Sequence, residues 1–599
     1  MLRGPALEDM VMRSVAQLSS DVQQTLLVAA ASDAGDLDTI RRATEALGGG
    51  GAVDAAERAG VVAITDGRLE FRHPLLRSAI YEHAGPAARQ AAQRALAEST
   101  TDDATDADRR AWHMAAATDG GSAEAARLLE SAGASARERG GHASAATAFA
   151  RAASLSSEDH ERMRRLVEAG TEARYAGRAD EALAHFDEAL PLSSDPLDHA
   201  RIQQARGSLA AWRGHAMAAH ALLSEEASQV EALDSRRAAI MLTEAAWPCF
   251  LAGEIVTGLQ AARRACALAE TAGEPERTLA SVTLAVGMAL NGQARAGADL
   301  LEQCGPAFDE ALALLASSEL ATTTVDAGDD PEPDRFRNLA RSVLMAAQVH
   351  TWLEDYGRAR ELLTHVIEQS RVRSLIGTLP FALGALSELD FRTGNWAGAY
   401  ASASEGLRLA DETKQASGLS LSLVSLARVE AARGLEADCR EHTARAFELA
   451  GFGVPLPVVY AASCRALLEL GLGRADAAIA HLEQIAHNAP RYGLDDPSVV
   501  QWAPDLIEAY VRTGRNDDAQ KALEILTAQA TSAERTWALG AAARCRGLLA
   551  DDDELDREFG EALDWHSRTD SPFERARTEL CYGERLRRAR RRVDSRERV

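Results

Sequence analysis

The stretch GTEARYAGRADEALAHFDEA, residues 170–189, decides the fold. Around Gly177 a small residue (Gly170) lies seven positions before, alanine (Ala182) five after, a bulky apolar residue (Phe186) nine after and alanine (Ala189) twelve after. Gly140 repeats the pattern with Gly133, Ala145, Phe149 and Ala152, and Gly394 is followed by Trp396 and Ala399. Glycine recurs at Gly140, Gly177, Gly214, Gly253, Gly292, Gly394, Gly434, Gly473 and Gly514, with gaps of 37, 37, 39, 39, 102, 40, 39 and 41 residues. A hairpin of two helices accounts for this pattern. Glycine ends the first helix in a conformation that strains other residues, small residues let the helices approach, and the bulky side chain fills the space between them. Chance glycines in an alanine-rich chain do not explain neighbours that recur in register.

This spacing resembles the tetratricopeptide repeat, drawn out from about 34 residues to a longer period. The pattern decays near Gly253 and Gly292, where Gly258 and Gly297 replace the expected alanine. A chain of 599 residues exceeds one compact core, whereas a solenoid adds core unit by unit. Apolar residues make up 46% of the chain but aromatics only 5%, so alanine supplies much of the apolar total and thin, closely packed helices are expected. The expected fold is all-α, a winged-helix domain with a small β-hairpin over residues 1–100 followed by a tetratricopeptide-like α-solenoid. Repeats are expected over 101–321 and 336–599, on either side of an acidic linker at 322–335.

A net charge of −25 disfavours nucleic acid and acidic membranes as general partners. The seven cysteines, Cys249, Cys266, Cys304, Cys439, Cys464, Cys545 and Cys581, stand singly, as buried thiols of a reducing compartment do. No apolar run reaches the roughly 20 residues of a membrane span and no signal-peptide core opens the chain, so a cytoplasmic location is expected.

Before the repeats, helical stretches near 6–18, 20–31, 36–47 and 52–59 lead into Val61–Ile64, a Thr65-Asp66-Gly67 turn and Leu69–Arg72. An Asp-Gly turn between two apolar runs signals a hairpin, and helices followed by a hairpin describe a winged helix. The stretch before the wing, Ala52 to Ala59, sets Asp54 and Glu57 against Arg58 alone, a charge unsuited to phosphate contact. No specific DNA binding by this chain is expected.

The run Phe71-Arg72-His73-Pro74-Leu75-Leu76-Arg77-Ser78-Ala79-Ile80-Tyr81 resembles the end of the winged helix in the large LuxR-type regulators, STAND-class signal-transduction ATPases. Arg110–His113, Leu129-Glu130 and Arg139–Gly141 resemble the junction to the repeats in actinobacterial members. Pro572–Arg577 and Tyr582–Arg588 resemble runs near the end of the family's repeats. The resemblance implies a sensor arm in which a ligand or partner shifts an ADP-held closed state toward an ATP-bound oligomer. It also implies that His73 contacts a nucleotide phosphate, with Arg77 one turn away assisting. The competing reading has His73 starting a helix before Pro74 and Arg77 in a salt bridge within the domain.

Such regulators carry a phosphate-binding loop before the winged helix and a helix-turn-helix after the repeats, and this sequence holds neither. A Walker A loop needs Gly-Lys-Ser/Thr, whereas Thr413 precedes Lys414 and Gln520 precedes Lys521, the chain's two lysines. Gly48–Gly51 reads as a connector. The sequence therefore predicts no ATPase activity and no cofactor of its own, ADP or ATP entering only with a nucleotide-binding domain supplied elsewhere. No catalytic motif and no metal-ligand cluster stands out.

The acidic residues Asp326, Asp329, Asp330, Glu332 and Asp334 read as a solvated linker, since Pro331 and Pro333 break any calcium-loop spacing. Asp551–Glu554 reads as an inter-helix turn. Arginines from Arg585 to Arg598 read as stems covering neighbouring helices rather than a nucleic-acid site. If Gly583 is the small residue of a last repeat, its second helix is expected to run about a dozen residues past Ser595, so the chain reads as a remnant of a larger regulator. The expected activity is binding of an inducer or protein partner in the solenoid groove, with self-association, to control a nucleotide switch. The alternative is a free-standing scaffold for protein partners. Periodicity alone does not assign the groove residues.

Overall fold

The computed structural model describes residues 13, 15–49, 52–100, 104–274, 276–306, 309, 313, 332–372, 375–449, 455–492 and 495–598. Of the helix expected near 6–18 only residues 13 and 15–18 are described, and the linker residues 322–331 lie outside the described residues, while 332–335 open the helix Glu332–Trp352. The chain falls into two compact units, residues 1–173 with 184–193 and residues 174–183 with 194–599.

The first unit begins with a winged helix. Asp66 (φ 51°) and Gly67 (φ 75°) form the two-residue loop of a hairpin, both in the left-handed region that a type I′ turn requires. They join β1 (Val62–Thr65) to β2 (Arg68–Phe71), which pair antiparallel with Val62 opposite Phe71 and Thr65 opposite Arg68. Asp36 adds a bridge to Arg68, so a third short segment flanks the wing. Helices Ser20–Ala31, Leu37–Ala46 and Ala52–Arg58 precede the hairpin and Pro74–His83 follows it. Ser19 and Asp36 cap the first two of these helices through their side chains. Leu26, Ile40, Val53, Val62, Leu69, Ile80 and Leu96 form the core.

The repeats follow. All nine periodic glycines have φ between 71° and 88°. Each ends a helix in the same way. At Gly140, for example, the Gly140 N–H donates to the Arg137 carbonyl and the Gly141 N–H to the Ala136 carbonyl, both at 2.8 Å, the paired bonds of a Schellman turn. The small and bulky positions meet as the pattern requires. A Cβ on Gly133 would lie 3.1 Å from the Phe149 ring, on Gly170 2.6 Å from Phe186, and on Gly207 2.7 Å from Leu223. Near Gly253 the roles exchange: Phe250 of the first helix fills the gap, and Gly258 and Gly287 are the residues that make room for it.

Glu354, at φ 67°, resolves the 102-residue gap. It ends the helix Glu332–Trp352 with the same turn, the Asp355 N–H donating to the His350 carbonyl at 2.9 Å. The rest of the pattern is present around it, in Ala347, Ala359 and Leu363, so a repeat stands where the glycine count shows none. Helix Glu276–Leu290 packs on helix Glu332–Trp352, and one apolar core runs across both. Arg590 (φ 63°) closes a last hairpin between Pro572–Arg588 and Arg592–Arg598, and the Ser595 hydroxyl donates to the Gly583 carbonyl at 2.8 Å.

Within the second unit the two helices of a hairpin differ. Second helices bury one stripe, such as Ala399, Ala403, Gly406 and Ala410 of Trp396–Glu412. First helices are buried almost all round, as in Ser235–Leu251, Leu379–Arg392 and Ala416–Arg433. First helices of adjacent repeats pack on one another, and segments about two hundred residues away in sequence also come into contact with the turns. A Cβ on Gly177 would lie 3.1 Å from Thr413, on Gly292 2.9 Å from Asp495, and on Gly394 2.5 Å from Pro572. Successive turns of the superhelix touch.

Candidate ligand-binding groove

The first helices of the repeats form the inner face of this superhelix, and that face carries charge. Arg392 donates to the Glu388 carboxylate at 2.6 Å and to the Ser498 carbonyl at 2.8 Å. Gln348 donates to Glu388 at 3.0 Å, and the Tyr460 hydroxyl donates to the Val499 carbonyl at 2.7 Å. Arg577 pairs with Asp505 at 2.7 Å and with Glu508 at 2.8 Å. Arg544 pairs with Glu574 at 2.7 Å. Burial alone drives the Glu574 carboxyl up, but Arg544 and Arg577 beside it hold it down to about 2. For Asp505 burial outweighs Arg577 and leaves the carboxyl above its usual range. The pairs of Arg577 and Arg544 tie together helices Ala503–Arg512, Thr536–Leu549 and Pro572–Arg588.

One part of the inner face stays open. A cavity of about 100 Å³ is lined by Ser208 and Trp212, by Glu244, Trp247 and Pro248, by Arg341 and Met345, by Phe381, and by Gln415. These residues come from four helices and from Gln415, the residue before a fifth, spread over two hundred positions of sequence. The close approach is built in: a Cβ on Gly377 would lie 2.8 Å from the Trp212 ring, and one on Gly418 2.9 Å from Pro380. Trp247 meets Phe381 edge to face, ring centroids 5.6 Å apart. The Glu244 side chain is 2% exposed. It accepts from the Ser208 hydroxyl at 2.5 Å and lies 3.8 Å from the Arg341 guanidinium. Pro248, four residues on, lacks the N–H that would otherwise bond the Glu244 carbonyl within the helix. A carboxylate, a guanidinium and three half-buried aromatic rings thus converge on one small space.

The sequence-predicted site residues His73 and Arg77 belong to the first unit, and neither lines this cavity. His73 caps the helix Pro74–His83: its Nδ1 accepts from the Leu75 N–H at 3.2 Å, which places the proton of a neutral ring on Nε2. Arg77 donates to the Ala30 carbonyl at 3.0 Å and pairs with Asp33. Glu57, on the helix before the wing, accepts from the Ile64 N–H at 3.1 Å. The C-terminal arginines turn back on the chain. Arg585 donates to the Ala550 carbonyl at 2.6 Å, Arg591 pairs with Asp556 at 2.8 Å, and Arg598 lies over the Tyr582 ring. Five cysteines are buried, while Cys266 and Cys304 are only half-buried, and burial pushes the Cys266 thiol up to about 11.

None of the cavity residues was singled out from the sequence. The one available signal was Pro248 inside a helix, at Trp247-Pro248, which marks a place where the backbone departs from regular bonding. Among the described residues no group of three or more His, Cys, Asp and Glu side chains is placed to hold a metal ion. No helix among them is long and apolar enough to cross a membrane.

No protein-family model matches the chain, and no curated protein does. Solved structures show likeness to it. A Rap protein complexed with competence and sporulation factor is 14% identical with a TM-score of 0.43, covering 62% of this chain and 99% of its own. A STAND protein with a tetratricopeptide repeat sensor from Pyrococcus horikoshii is 13% identical with a TM-score of 0.33, covering 78% and 68%. A human IFIT1 dimer with m7Gppp-AAAA is 14% identical with a TM-score of 0.36, covering 78% and 94%. At these scores the likeness adds nothing to the repeat geometry described above.

Proposed function

We propose that this chain is the sensor and interaction region of a LuxR-family, STAND-type transcriptional regulator, binding an inducer or protein partner on the inner face of its superhelix. The observation that carries the reading is the cavity assembled from first helices between Ser208 and Gln415. A ligand there touches repeats far apart in sequence, so its binding energy differs between superhelix geometries, and that difference is what shifts an equilibrium between two states. The resemblance of the Phe71–Tyr81 run to the family supplies the transcriptional side of the reading. On it, the protein works in the cytoplasm and does no chemistry itself. ADP or ATP belongs to a nucleotide-binding domain provided elsewhere, with His73 and Arg77 as the residues that would meet its phosphate.

Two measurements test this. Transcript profiles of cells with and without the chain should differ at a defined set of promoters, and identical profiles would favour a scaffold instead. Thermal unfolding of the purified chain should not respond to ADP or ATP with magnesium, although a ligand at 100 times its Kd adds about 2.7 kcal/mol. A saturable shift that His73→Ala abolishes would place a nucleotide site within this chain.

A further inference from the structure

We propose that Cys266 and Cys304 together form a two-sulfur binding site for copper(I). Cys266 lies on the helix Ile255–Ala272 and Cys304 directly follows the helix Ala294–Gln303, neither of which lines the cavity described above. The site is therefore separate from the groove and stands independently of the sensor reading.

Two successive hairpins bring both thiols against the helix between them, Glu276–Leu290. Cys266 stands seven residues before the turn at Gly273 and Ser281 eight after it, so antiparallel packing sets them at one level. About the next turn, Gly292, Ser281 stands eleven residues before and Cys304 twelve after. The Ser281 hydroxyl accordingly lies beside both thiols. Close packing is built into these two hairpins. A Cβ on Gly297 would lie 2.9 Å from the Ala285 carbonyl, and one on Gly258, the same place in the preceding repeat, 3.0 Å from the Ala246 carbonyl. The two repeats in which glycine stands at this position are the two whose second helices carry these cysteines.

Cys266 and Cys304 are also the two cysteines that are only half-buried, so an ion can reach them. Burial pushes the Cys266 thiol up to about 11 and raises the Cys304 thiol too, although the Ser281 hydroxyl favours the thiolate of each. Protonated thiols react slowly with peroxides and disulfides, because the thiolate is the nucleophile. A thiophilic ion displaces the protons itself: two thiols and one copper(I) give a bis-thiolate complex of charge −1 and two released protons. The number of donors then selects the ion. Zinc takes four ligands. Glu270 and Glu274 lie near enough to favour a cation, but among the described residues no group of three or more donors forms with the sulfurs. Copper(I) prefers soft sulfur and is satisfied by two ligands in line.

The test is copper(I) titration of the reduced, metal-free full chain under nitrogen, in competition with the colorimetric copper(I) chelator bicinchoninate. One equivalent should be retained, with X-ray absorption showing two sulfur neighbours and no nitrogen or oxygen. Cys266→Ser and Cys304→Ser should each abolish retention. Ser281→Ala should weaken it about 10-fold, as loss of a hydrogen bond to a ligand does. The sulfur count of the wild-type complex decides the matter even if a variant fails to fold. No retained copper, retention that survives either serine substitution, a third ligand on the metal, or tighter binding of zinc than of copper(I) would overturn the proposal. None of these outcomes bears on the groove.

Discussion

His566 lies on the helix Leu555–His566, 2% exposed, with neither ring nitrogen hydrogen-bonded. Burial, and then the Arg544 charge, lower its pKa to about 4. The unfolded chain takes up that proton near pH 6.5, so between pH 6.5 and 4 it binds more protons than the folded one. Stability therefore drops as the pH is lowered from 6.5 to 4, by up to about 3 kcal/mol from this residue. His566→Leu should flatten the dependence of the melting temperature on pH between 7 and 5, and an unchanged slope would show that other groups govern it. The turn glycines allow a second comparison. Gly434 has φ 71° with open space around it, whereas Gly394 has φ 82° with Pro572 against it. Alanine at 434 should cost about 1–2 kcal/mol, the strain of the left-handed region alone. At Gly394 crowding adds about 1–3 kcal/mol more, so denaturant melts should rank Gly394→Ala well below Gly434→Ala. Equal losses would mean that the turn at Gly394 does not meet Pro572 in solution.

At the scale of an element, Glu354 does what the periodic glycines do and one thing more. It holds a left-handed turn, and its carboxylate accepts the Trp537 N–H at 2.9 Å, capping the helix Thr536–Leu549 from 183 residues away in sequence. Glu354→Ala keeps the strained turn and removes the acceptor, so a loss of about 1 kcal/mol is expected. Glu354→Gln keeps an acceptor oxygen and should be nearly neutral. Amide exchange at Trp537 and its neighbours should quicken in the alanine variant alone, and identical exchange in both would sink the capping role. Glu354 also shows why the sequence period broke. The periodic signal was glycine, and the fold asks for a left-handed turn, which glutamate supplies when a distant helix uses its side chain. In the same way Phe250 and Gly258 exchange the bulky and small roles, and the spacing between helices survives.

Across the whole second unit, contacts between successive superhelical turns set this solenoid apart from an open one. In an open array each repeat meets only its neighbours, and stability is a sum of local terms. Here Gly177 meets Thr413, Gly292 meets Asp495, and Arg392 bonds the Ser498 carbonyl. Unfolding of this unit should be one cooperative transition, with matching midpoints for tryptophan fluorescence and far-ultraviolet dichroism, and separated midpoints would argue for independent stretches. The sequence by itself determined the local grammar: helical hairpins of about 39 residues, the left-handed turns, the small and bulky partners, and the Asp-Gly wing. Each depends on residues within one or two turns of the chain, so spacing reveals it. Which side chains line the groove was decided only by tertiary structure. Glu388, Arg392 and Asp505 are charged residues that periodicity does not mark as core, yet they are buried by segments distant in sequence. The cavity among Trp212, Glu244, Trp247, Arg341 and Phe381 exists because small rotations between repeats accumulate until residue 212 meets residue 377. No single repeat encodes that sum.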